Sequence, residues 1–118
     1  MSNYVNIISI EQLVEQVVAS DLYPQLILQL QKDINRAGID YEVNQQAKPK
    51  ELFLEIEKVL LDKLDHAFND YLNLLYAVDV SESDIKKCKS EESIAIAKYA
   101  AFLILKREWQ KVYFRSQL

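Results

Sequence analysis

Apolar residues recur along this chain at spacings of three and four, the repeat of an α-helix with one buried face. Ile10, Leu13, Val14, Val17 and Val18 form the first such stripe and predict a short helix over about 10–19. Ser9 followed by Gln12 matches a capping box, in which two side chains satisfy free backbone N–H groups at a helix start. Ser20 and Asp21 interrupt the stripe, and Pro24 suits the first turn of a second helix, where its missing N–H costs nothing. Leu26, Ile27, Leu30 and Ile34 give that helix its apolar side, with Gln25, Gln29, Lys32, Asp33 and Arg36 elsewhere. Gly38 is the expected stop. It takes the left-handed conformation of a Schellman ending, which lets Ile39 fold back on Ile34.

Residues 39–48 are the only long connection. Ile39, Tyr41 and Val43 alternate as a strand does, but there is no second strand to pair with, so the segment reads as loop. Pro49 opens a third helix, whose pattern runs from about 50 to 77 through Leu52, Ile56, Val59, Leu60, Ala67, Tyr71, Leu74 and Val78. Phe53, Leu64, Phe68 and Leu75 widen the stripe, and Leu54, Leu61 and Leu72 lie further round. An apolar arc that broad implies more than one neighbour. Unbroken, this helix is on the order of 40 Å long and is expected to be the backbone of the fold. After Asp79-Val80-Ser81, Ser81 and Asp84 cap a short helix at about 82–88, and Ser90 with Glu91 and Glu92 starts a last one over about 91–115. Ile94 to Leu105 contains one charge, Lys98, and is expected to be buried nearly all round.

One Gly and two Pro cannot supply the tight turns of an all-β domain. The fold class is therefore all-α: an antiparallel four-helix-bundle-like domain with one additional short helix, built on the two long helices at 50–77 and 91–115. Residues 1–118 read as a single helical domain, with 1–8 an extended or frayed lead.

Charge and cysteine content narrow the function classes. A net charge of -4 and a pI near 5.0 argue against a nucleic-acid binder. Cys88 is the only cysteine, so no internal disulfide or multi-cysteine metal site exists, and no disulfide-linked partner is expected. Its neighbours Lys86, Lys87 and Lys89 make it a candidate reactive thiol, although an incidental thiol on a short helix is the simpler reading. The first residues lack the basic start and apolar run of a secretory signal, and no apolar stretch reaches the roughly 20 residues of a membrane span. A cytoplasmic, reducing environment is expected.

The catalytic inventory is short. Asp62, His66 and Asp70 are each four residues apart, hence on one face of a continuous helix, where they could offer carboxylate and imidazole to a divalent metal or a small molecule. His66 is the only histidine, however, and a di-iron bundle draws its ligands from four helices with a Glu-x-x-His motif on two. A solvated face is the competing reading. Ser81 and Ser90 read as caps, and a single glycine excludes the phosphate-cradling loops. No catalytic residue is assigned and no cofactor is expected. The seven tyrosines read as core or boundary residues, with a ring inside and a hydroxyl at the edge.

The C-terminal segment is the most informative. Lys106, Arg107, Lys111 and Arg115 interleave with Trp109, Tyr113 and Phe114, and residues 98–118 hold five Lys/Arg against one acid, Glu108. Trp, Tyr and Arg dominate binding hot spots. Lys106, Arg107, Trp109, Lys111, Tyr113 and Arg115 are therefore the candidate partner-binding residues. The competing reading packs Trp109, Val112 and Tyr113 on the earlier helices, with the cations on the wet side. The expected function is a non-enzymatic protein–protein interaction or self-association module, possible as a homodimer. The alternative is a metal- or small-molecule-binding bundle using Asp62, His66 and Asp70.

Overall fold

The computed structural model describes residues 7–118, and those residues form six helices and no strand: α1 (Ile10–Ala19), α2 (Tyr23–Arg36), α3 (Pro49–His66), α4 (Phe68–Val78), α5 (Glu82–Ile85) and α6 (Ser93–Ser116). The all-α class is as the sequence indicates. Three helix ends follow their expected chemistry, but Ser90 does not cap α6: its hydroxyl accepts the Glu92 N–H ahead of the helix, whose N-cap is Glu92. Ser9 Oγ accepts the Gln12 N–H, while the Gln12 side chain accepts the N–H of Ile8. Gly38 has φ of 79°. Beside it, the N–H groups of Gly38 and Ile39 donate to the carbonyls of Asn35 and Ile34, the two bonds of a Schellman ending. Ser81 Oγ caps α5 by accepting the N–H of Asp84.

Of the expected extended lead, residues 1–6 lie outside the described residues. Ile7 is not frayed: it is buried in the core at 1% exposure.

The helix expected at 50–77 is two helices. Ala67, at φ -152° and ψ 65°, leaves the helical region and separates α3 from α4. A straight helix over 50–77 would measure ~42 Å, longer than the 38 Å of the whole body. The break lets each half find its own neighbour: α3 packs chiefly on α6, and α4 packs on α2. Across the bend, Lys63 reaches Asp70 at 3.4 Å; within α4, the Phe68 ring stacks on Tyr71 at 5.6 Å.

Accordingly α6, not the 50–77 segment, is the hub, touching each of the other five helices. Its buried stripe is Ala97, Ala100, Ala101, Ile104, Leu105, Glu108, Trp109 and Val112. Around it the core gathers Leu26, Leu30 and Ile34 of α2, Leu52, Ile56 and Leu60 of α3, and Leu74, Leu75 and Val78 of α4. The loop at 39–48 is pinned to this core by buried Ile39 and Val43, and by Tyr41 donating its hydroxyl to Glu55.

One core position is imperfect. The Tyr71 hydroxyl is buried without a hydrogen-bond partner, and burial, with the Cys88 thiol nearby, pushes its pKa up to about 12. An unsatisfied buried hydroxyl costs ~1–3 kcal/mol. Tyr71→Phe is therefore expected to raise stability by about 1 kcal/mol in urea unfolding; a loss of that size would mean that the hydroxyl is satisfied.

Candidate functional site

Two sides of α6 carry the charged and aromatic residues singled out in the sequence. Toward α2, a polar cluster is buried between the helices. Asp33, with no exposed surface, accepts Gln29 Nε2 at 3.1 Å, Lys111 Nζ at 2.9 Å and Arg36 Nη1 at 3.1 Å. Arg115 donates to Gln29 Oε1 at 2.7 Å, extending the cluster toward the C-terminus. Glu108 is equally buried, and its carboxyl oxygens receive no aligned hydrogen bond. The Lys111 ammonium lies 3.1 Å from Glu108, but its hydrogen bond goes to Asp33.

The cluster thus buries two carboxyls around one lysine, and they divide the proton. Burial, then hydrogen bonding to Asp33 and repulsion by its charge, push Glu108 up to about 9, against the opposing pull of Lys111. Burial also works against Asp33. The hydrogen bonds from Glu108, Lys111 and Gln29, with the Lys111 charge, outweigh it and hold Asp33 below the usual carboxylate range. The opposed shifts favour a neutral Glu108 beside an ionised Asp33, as expected when like charges share one site. The cluster is an internal clasp between α2 and α6.

The outer side of α6 is different. Ala95, Tyr99, Phe102 and Leu103 are only half-buried. The expectation that Ile94–Leu105 is covered nearly all round fails here, because the fully buried residues of this segment are Ala97, Ala100, Ala101, Ile104 and Leu105 alone. With α5 and the chain at Ile8, which is 80% exposed, this side forms two confluent open grooves of about 460 and 540 Å³ that share Ile8, Lys87, Tyr99 and Phe102. Lys87, Lys89, Lys98, Lys106 and Arg107 border them, against the acids Asp79 and Asp84. Lys106 stands over the Phe102 ring at 5.8 Å, and Arg107 bridges to Asp79 at 3.2 Å. Cys88 lines one groove, with its thiol 3.9 Å from the Ser90 carbonyl oxygen.

The sequence-derived candidates are therefore divided. Lys106 and Arg107 belong to the outer face. Trp109 is a core residue at 1% exposure, its indole N–H 3.4 Å from Gln16 of α1, so it presents no surface to a partner. Lys111 and Arg115 serve the internal clasp. Tyr113 is half-buried, its ring 5.9 Å from that of Trp109. The bend at Ala67 separates Asp70 from the helix bearing Asp62 and His66. Among the described residues, no group of three or more His, Cys, Asp or Glu is placed to hold a metal ion.

The residues missed in the sequence were Asp33, Glu108 and the apolar members of the outer face. A signal for the first two exists: Asp33 falls in phase with Leu26, Leu30 and Ile34, and Glu108 with Ile104, Leu105 and Val112. A charge inside an apolar stripe marks a buried partner.

Fold and site together define an all-α helical bundle with one basic, apolar outer face. No family model, curated protein or solved structure matches the chain. Among the described residues, no helix is long and apolar enough to cross a membrane.

Proposed function

We propose that this chain is a non-enzymatic helical interaction module that docks an acidic protein surface on the outer face of α6. The observation that carries this reading is the half-covered stripe of Tyr99, Phe102 and Leu103, on a helix whose opposite side is fully buried. Beyond the Lys87–Asp84 and Arg107–Asp79 pairs, Lys89, Lys98 and Lys106 around the stripe set the sign of the partner, because complementary potential steers encounter and fixes register. Exposed apolar surface rimmed by polar groups is the usual form of a contact site. The concave shape of the two grooves favours a protruding protein surface over a flat bilayer.

The metal alternative draws no support from the geometry, since Asp62, His66 and Asp70 are not gathered into a ligand set.

The test is a mild purification from the native host, with the intact mass of the complex, comparing wild type, Lys98→Glu/Lys106→Glu, and Lys32→Glu as a charge reversal on exposed α2. An acidic partner retained by wild type and Lys32→Glu, and lost from the double variant, is the expected result. Retention by the double variant removes this face from the interaction. Capture of lipid or nucleic acid in place of protein overturns the reading.

A further inference from the structure

The outer face of α6 has a counterpart on the same molecule. An open groove of about 680 Å³ runs along the outer side of α3 and the loop before it. Four acids border it, Asp40, Glu51, Glu55 and Asp62, against Lys58 and Lys63, and Lys63 is already paired with Asp70. Its walls include Leu54, which is 56% exposed, and half-buried Val59. One groove is thus apolar with a cationic rim, and the other is apolar with an anionic rim.

We infer that the acidic surface docked by α6 is the α3 groove of a second copy of this chain. The inference rests on the proposed role of the α6 face and names its partner. α3 and α6 pack on each other through their inner stripes, Leu52, Phe53, Ile56 and Leu60 on one and the Ala97–Val112 stripe on the other. Each groove lies on the far side of its own helix, so the two grooves face away from one another. A copy cannot close on itself, and two copies cannot use both contacts at once. The contact is heterologous, and copies add head to tail.

Two like-charged molecules of net -4 can still associate in this way. At about 0.15 M salt the screening length is ~8 Å, well below the 38 Å length of the body. Repulsion between whole molecules is largely screened, while charges in contact across the grooves still attract. At 1 M salt the length is ~3 Å, and the contact attraction weakens as well.

Sedimentation of the full chain from micromolar to millimolar concentration tests this. Wild type is expected to exceed the dimer mass as concentration rises near 0.15 M salt, and to fall back toward the 13.8 kDa monomer at ~1 M. Lys98→Glu/Lys106→Glu disables the α6 face, and Leu54→Lys/Asp62→Lys disables the α3 groove; all four side chains are exposed or half-buried, and unchanged melting temperatures would verify folding. Each variant alone is expected to stay monomeric, and an equimolar mixture to form a 1:1 dimer that grows no further. A wild type that stays monomeric, a variant that assembles alone, or a mixture that does not associate overturns the inference. If the chain stays monomeric while its host partner is lost on Lys98→Glu/Lys106→Glu, the second copy is refuted and the docking role of α6 stands.

Discussion

Replacing Glu108 with Gln is expected to raise the melting temperature at pH 8 and to remove most of its pH dependence. The sign follows from the folded-state value of about 9, raised above the ordinary 4.5. A group whose pKa is raised on folding binds its proton more tightly in the folded state. Its contribution is fully present below the unfolded value and is lost as pH climbs through the folded one. Across that window each pH unit corresponds to ~1.4 kcal/mol, so by pH 8 wild type has lost several kcal/mol, to order of magnitude. Asp33 shifts the other way, so its contribution is lost on acidification. Wild type should therefore be most stable in mild acid.

Gln reproduces the neutral acid at every pH. Its amide can donate to Asp33, and its carbonyl faces the Lys111 ammonium that lies 3.1 Å from Glu108 Oε1. At roughly 3–5 °C per kcal/mol for a domain of this size, the gain at pH 8 is on the order of 10 °C. Asp33→Asn tests the same coupling from the other side. Without the Asp33 charge, Glu108 ionises against Lys111, and the two substitutions combine non-additively, as contacting groups do. If Glu108→Gln leaves the slope of melting temperature against pH unchanged, the folded protein does not hold that proton.

Trp109→Ala is expected to lose about 3–5 kcal/mol, the cost of emptying a large buried aromatic site. Trp109 is 1% exposed and anchors α6 to α1 through Gln16. A domain has only ~5–15 kcal/mol in total, so this variant sits near unfolding. Urea unfolding checks it: the midpoint should fall with little change in slope. Any loss of association in this variant then reports the fold and not a contact, which is why the outer-face lysines are the proper probes. A loss below ~1 kcal/mol would remove Trp109 from the core.

The helix caps were the most legible part of the sequence. Ser9, Gly38 and Ser81 each act within a few residues of themselves, and local hydrogen bonding decides them. The bend at Ala67 was not legible. Alanine is the best helix former, and Leu60, Tyr71, Leu74 and Val78 stay in phase across it, so no local signal competes with a continuous helix. Packing decides it, because α4 must reach α2. The candidate strip on α6 was found by composition but resolved by angle: Lys106 and Arg107 turn outward, while Glu108, Trp109 and Lys111 turn in. A 24-residue helix that is apolar on both sides in its first half does not say which side its neighbours will take. That choice is tertiary, and it leaves Tyr99, Phe102 and Leu103 half-covered.

The most direct test of the α6 face is lysine footprinting of the chain in its native assembly, against the same chain released at high salt. Lys87, Lys89, Lys98 and Lys106 border the outer face, whereas Lys32 stands exposed on α2. Protection of those four in the assembly, with Lys32 reacting equally in both states, is the result expected of a docking face on α6. Equal reactivity at all five, or protection at Lys32 alone, would contradict it.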